Sequence, residues 1–102
     1  MSVTSEVQSP DHDETGRLLL ATARGDNAAF EQLYRTTSSR LFGVCLRIVN
    51  QRSEAEDVLQ DVFTNVWRKA QQFDPQRASG VTWLTMMARN KAGKAFLTLD
   101  KG

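Results

Sequence analysis

The chain has 102 residues, 40% of them hydrophobic and 25% charged, a balance that fits one small globular domain built on a single core. Its formal net charge is only +1, so bulk charge carries no nucleic-acid signature, and any charged site must come from segregation along the chain. One cysteine and one histidine, far apart, exclude a disulfide framework, a Cys/His zinc site and a Cys–His nucleophile pair.

Residues 1–14 are rich in Ser, Thr, Asp and Gln, contain Pro10 and the single histidine, His12, and lack periodic hydrophobes. They read as a disordered leader. The leader has no basic stretch followed by an apolar run, and no segment reaches the roughly 18 apolar residues of a membrane span. A cytoplasmic, soluble protein is expected. A first short helix is predicted over Thr15–Arg24, ended by Gly25. Asp26 is suited to cap a longer helix, in which Phe30, Leu33, Tyr34, Leu41, Cys45, Ile48 and Val49 recur mostly at three- and four-residue steps. Cys45 reads as a small buried hydrophobe of that helix. Thr36–Ser39 interrupt the apolar rhythm and mark a potential bend, and Asn50–Arg52 read as a turn.

Ser53-Glu54-Ala55-Glu56 has the form of a capping box, with Ser53 at the cap and Glu56 three residues on. Ala55, Val58, Leu59, Val62, Phe63, Val66 and Trp67 then form one apolar stripe, which predicts a helix from Glu54 to about Gln72 with Trp67 in the core. Pro75 stops that helix, and Phe73–Gly80 read as a loop. Ser79 is placed to cap a last helix running through Trp83, Leu84, Met87 and Ala88 toward Phe96. No segment alternates with period two. The fold class expected is therefore all-α, a compact bundle of three to four helices filling residues 15–102.

The charges separate. On the capping-box helix, Asp57, Gln60, Asp61 and Thr64 fall at three- and four-residue steps and line one exposed acidic-polar stripe. The last helix carries Arg89, Lys91 and Lys94, followed by Lys101, and Arg77 in the loop adds to that side. An acidic stripe suits a basic protein partner, and a basic helix suits phosphates. Phe73 and Trp83 bracket a polar loop holding Arg77 and Ser79. Aromatic rings beside cations suit single-stranded bases, which offer a face for stacking. Each stripe can also be a merely solvated face, and each ring a core residue at a helix end. No nucleophile–base pair, phosphate loop or metal cluster is present, so no catalytic residue and no cofactor are expected.

Four segments, Gly25–Tyr34, Ala55–Trp67, Phe73–Pro75 and Thr82–Asn90, resemble region 2 of the sigma-70 superfamily, in its extracytoplasmic-function (ECF) group. The resemblance spans Asp26 to about Ala92. It implies a non-enzymatic transcription-initiation domain whose partners are RNA polymerase core and promoter DNA, with an anti-sigma factor as a further partner. By position, Asp57, Gln60 and Asp61, with Thr64 nearby, would dock on the clamp helices of the polymerase β′ subunit. The loop after Phe73 would receive a flipped base of the −10 non-template strand. Phe73, Arg77 and Ser79 would lie around that pocket and Trp83 near its floor. Asn90 would make base or backbone contacts, and Arg89, Lys91 and Lys94 would meet phosphates.

The chain departs from the family pattern after Asn90. Lys94 stands where the family often has Asp, Gly93 weakens the helix, and Ala95–Leu99 is more apolar than a DNA-facing helix end. Nothing in the sequence forms region 4, the helix-turn-helix half of such factors. A second reading follows: a sigma-like decoy that occupies polymerase or an anti-sigma factor without promoter-specific initiation.

Overall fold

The computed structural model describes residues 10–101, so the disorder expected of residues 1–9 lies outside the described residues. Four helices follow one another: α1 (Pro10–Ala23), α2 (Asn27–Val49), α3 (Arg52–Lys69) and α4 (Gly80–Lys101), with a 3₁₀ turn over Ala70–Gln72 closing α3. The described residues contain no strand, and none of their helices is long and apolar enough to cross a membrane. The chain is all-α, as the periodicity predicts.

Local chemistry sets most helix ends. Gly25 adopts φ 90°, a left-handed turn that only glycine enters freely, and its N–H bonds to Thr22 O at 2.9 Å. Asp26 then caps α2, its Oδ1 accepting from the Ala29 N–H at 3.1 Å. At the other end Asn50 turns left-handed (φ 60°) and its N–H closes on Leu46 O at 2.8 Å.

Three sequence expectations are corrected. α1 begins at Pro10, not Thr15, because proline's fixed φ suits a first helical turn. Ser53 and Glu56 form no capping box: α3 starts at Arg52, its cap position Gln51 makes no side-chain cap bond, and Glu56 instead pairs with Arg52 at 3.6 Å. α2 runs unbroken through Thr36–Ser39. There the Thr36 and Thr37 hydroxyls donate back to the carbonyls of Gln32 and Leu33, so polar residues sit inside the helix without an unmet hydrogen bond. Finally, Trp67 is not in the core but 41% exposed, at the end of the apolar stripe.

The core draws on every helix: Leu19 of α1, Leu33, Leu41 and Cys45 of α2, Val62 and Val66 of α3, and Leu84 of α4 are all fully buried. α4 presents Ala88 and Ala92 to the same core, and these small residues let its backbone approach α2 closely. Burial pushes the Cys45 thiol above its ordinary pKa, which keeps it protonated and chemically quiet.

One contact fixes where α4 starts. A Cβ on Gly80 would lie 2.7 Å from the backbone nitrogen of Gly16 and 2.9 Å from Thr15 Cγ2, so α4 begins in van der Waals contact with α1. Gly43, inside α2, has no such neighbour within 4 Å of an added Cβ. Substituting the two glycines should therefore act in opposite directions. Gly80→Ala should cost about 1–3 kcal/mol through overpacking, and Gly43→Ala should gain roughly 0.5–1 kcal/mol from helix propensity. Thermal denaturation followed by circular dichroism measures both, and shifts of the same sign would contradict this packing.

Candidate protein and nucleic-acid interfaces

α3 carries the first candidate surface. Asp57, Gln60, Asp61 and Thr64 are all exposed and lie along one side of the helix, because Ala55, Val58, Leu59 and Val62 turn the opposite side into the core. The ion pairs among the described residues join Glu14 to Arg17, Glu31 to Arg35 and Glu56 to Arg52. None involves Asp57 or Asp61, so two carboxylates one helical turn apart face solvent without a counter-charge.

The aromatic end of this surface escaped sequence reasoning. Phe30 and Tyr34 of α2 meet Phe63 and Trp67 of α3, with ring centroids 4.7 Å apart for Tyr34–Phe63 and 5.2 Å for Phe30–Trp67. Phe63 is buried, but Tyr34 is 43% exposed. The cluster therefore opens to solvent beside Gln60 and Thr64. The readable signal was Trp67 itself, which follows Thr64 at a three-residue step and so continues the exposed line as much as the buried one.

The second candidate surface lies between α3 and α4. A groove of about 350 Å³ is walled on one side by Asn65, Lys69 and Gln72 and on the other by Trp83, Met86, Met87, Asn90, Lys91 and Lys94. Three lysines and no carboxylate line it, so it attracts anions. Trp83 is half-buried and Met86 is 56% exposed, which gives the groove an apolar floor and rim suited to a planar ring. Of the predicted nucleic-acid residues, the structure brings Trp83, Asn90, Lys91 and Lys94 together here. Arg77, Ser79 and Arg89 do not line the groove. Asn65, Lys69 and Gln72 were missed, although their four- and three-residue steps put them on one line beside the acidic stripe.

Two loop residues have structural work instead. Phe73 is only 6% exposed and offers no face to a base. Its ring packs against Trp83 (centroids 5.7 Å apart, 64° between planes), and an added Cβ on Gly16 would touch it at 3.8 Å. Ser79 caps α4, its Oγ accepting from the Thr82 N–H at 3.1 Å and donating to the Thr82 hydroxyl at 3.0 Å. Asp74, which the sequence did not single out, shapes the loop between them. Its Oδ1 accepts from the Gln76 N–H at 2.9 Å and its carbonyl from the Arg77 N–H at 2.9 Å, an Asx turn that leaves Arg77 exposed at the loop surface.

Compared with known proteins, residues 33–101 match the family Sigma-70 region 2. The chain belongs to that family. Among curated relatives, it is 36% identical over 75 residues to the ECF RNA polymerase sigma factor SigK of Mycobacterium tuberculosis (strain H37Rv), covering 74% of this chain and 40% of SigK. It is 41% identical over 66 residues to the ECF RNA polymerase sigma factor RpoE of Cereibacter sphaeroides, covering 65% of this chain and 36% of the relative. SigK of Mycobacterium ulcerans is 32% identical over 80 residues, 78% of this chain and 43% of that protein. This region 2 chain thus spans less than half the length of the curated relatives it matches. The matched residues contain α3, the loop and α4, hence the acidic stripe and the lysine-lined groove.

The capping role of Ser79 can be measured on the free chain. Ser79→Ala should lower stability by about 1 kcal/mol, whereas Ser79→Asp should retain most of the parent stability because Asp caps equally well. Urea denaturation reads the difference, and equal losses in the two variants would mean that the cap is not what Ser79 supplies.

Proposed function

We propose that this region 2 domain serves an ECF sigma factor in transcription initiation, joining RNA polymerase to a promoter. In this reading the exposed Asp57–Gln60–Asp61–Thr64 stripe docks on the β′ clamp helices, and the lysine-lined groove takes the non-template strand of the −10 element. The observation that carries it is the segregation of charge on two adjoining helices: two unpaired carboxylates on one face of α3, and three lysines without a carboxylate around the groove. Surface carboxylates contribute to a protein interface mainly through steering and register. In the groove, Lys69, Lys91 and Lys94 hold phosphates, and Trp83 with Met86 supplies the surface against which an unstacked base recovers its stacking. Binding of this kind involves no covalent step. Phe73 and Asp74 act by holding the loop, and Arg77 reaches the strand from it. An anti-sigma factor would compete for the acidic stripe.

The protein arm is tested by pull-down of a β′ clamp-helix hairpin. The parent chain should bind, and an Asp57→Ala/Gln60→Ala/Asp61→Ala variant with unchanged helical circular dichroism should lose at least tenfold in affinity. Retention of binding by that variant would remove the stripe from the interface. The nucleic-acid arm is tested by anisotropy of a labelled single strand across a salt series. Affinity should fall with salt, and Lys69→Ala should flatten the log–log slope by about 0.7, the contribution of one phosphate contact on a single strand. An unchanged slope would take Lys69 out of the strand path. A parent that binds the hairpin but no single strand would favour the decoy reading over initiation.

A further inference from the structure

The acidic stripe does not end at Thr64. Asp57, Asp61, Thr64 and Arg68 follow one another at steps of four, three and four residues, so they share one side of α3, and all four are exposed. The line opens with two carboxylates and closes with a guanidinium, about 16 Å from Asp57 along the helix axis. The ion pairs and the cation–π contact among the described residues leave Arg68 out, so its charge faces solvent as openly as those of Asp57 and Asp61. Alongside this line runs the aromatic groove between α2 and α3, of about 630 Å³, in which Tyr34 and Trp67 are joined by Gln60, Thr64 and Arg68. The groove holds no carboxylate, Arg68 is its one charged lining residue, and Asp57 and Asp61 lie outside it. The negative and positive ends of the line are therefore kept apart by an uncharged stretch flanked by rings. Past Arg68 the surface meets Thr22, Ala23 and Gly25, which add no charge.

Such an order can be matched by a partner helix in one direction only. Laid along α3 with a base at Asp57 and Asp61 and a carboxylate at Arg68, a helix is attracted at both ends, and the groove between them admits an apolar side chain. Turned end for end, the same helix sets acid against acid and base against base, which penalises the reversed complex. A helix carrying bases alone would be repelled at Arg68. We propose that Arg68 receives a carboxylate of the helix that docks on the acidic stripe, and that this pair fixes the direction in which that helix lies. The pairing rests on the reading of α3 as the polymerase-docking face and adds an acidic residue to what that face selects.

Binding of the β′ clamp-helix hairpin to the full chain and its variants tests the pair, with circular dichroism confirming that each variant folds. Arg68→Glu should weaken binding roughly tenfold, and Arg68→Lys, which keeps the charge, should stay within about twofold of the parent. The carboxylates of the hairpin are then changed one at a time to lysine. One of these changes should weaken binding to the parent chain and restore binding to Arg68→Glu, because the exchanged charges attract again. A merely structural role for Arg68 would give no such rescue. The Asp57→Ala/Asp61→Ala pair reports on docking itself. If Arg68→Glu binds like the parent while the aspartate pair fails, the Arg68 contact is overturned and the docking reading stands. If Arg68→Glu weakens binding and no hairpin lysine restores it, Arg68 meets no carboxylate and the proposal falls. If the parent does not bind the hairpin at all, the docking reading fails first and takes the pair with it.

Discussion

Phe73 stands where the chain leaves the end of α3 and turns toward α4, and its ring is pressed between Gly16 of α1 and Trp83 of α4. Gly80 closes the same corner from the other side of the loop, with the backbone of α1 so near that no side chain fits. One ring and two glycines therefore fix how α4 crosses α1. The consequence reaches the lysine groove. Asn65, Lys69 and Gln72 precede this corner, and Trp83, Asn90 and Lys94 follow it. The separation of the two walls is set by the corner, because packed interiors yield little to small displacements. Gln71 adds a tie from the 3₁₀ turn to the end of α1, donating to Ala23 O at 3.4 Å. The loop between the walls is held by its own Asx turn, so Arg77 projects from a shaped support.

The two surfaces share α3, and the order of charge along that helix serves both. Glu54 lies in its first turn, and Arg68 and Lys69 lie in its last. Acids near a helix N-terminus and bases near its C-terminus complement the macrodipole, by about 0.3–1 kcal/mol for each exposed charge. The last turn that complements the macrodipole thus also places Lys69 at the groove. A net charge of +1 hides this arrangement, because the totals cancel while the positions do not.

Much of this was readable from sequence, and the misses share a cause. The caps at Asp26 and Ser79 and the stop at Gly25 depend on residues next to one another, and all three fall where local chemistry puts them. The acidic stripe was readable because a single helix determines which of its residues share a face. Trp67 and Phe73 were misplaced in opposite senses, one expected inside and found half outside, the other expected at a ligand and found buried. Periodicity says that a residue lies on an apolar stripe. It does not say how much of a large ring the neighbouring helix covers, and Trp67 stays 41% exposed although Phe30 of α2 packs against it at 5.2 Å. Likewise only the approach of α1, with Gly16 facing the ring, buries Phe73. Asn65, Lys69 and Gln72 gained meaning only once α4 lay beside them. Gly93 looked like a weak point, yet α4 continues through it to Lys101, so the basic residues of α4 stay on one continuous helix.

The same reasoning bears on whether the two charged surfaces are only solvated faces. Where this chain merely decorates a helix with charge, it alternates the signs: Glu31 pairs with Arg35 at 3.5 Å and Arg52 with Glu56 at 3.6 Å, each four residues apart. Such pairs contribute a few tenths of a kcal/mol. Neither candidate surface is built this way. Asp57 and Asp61 are like charges at the same four-residue spacing, which costs a similar few tenths. Lys69, Lys91 and Lys94 converge on one groove from two helices with no carboxylate among them. Like charges held together on a scaffold that could have interspersed them leave repulsion in the free domain. A ligand of opposite charge relieves that repulsion, and because it binds the folded chain it also stabilises the fold by mass action. The two surfaces that weaken the isolated domain are therefore the two whose occupation would strengthen it.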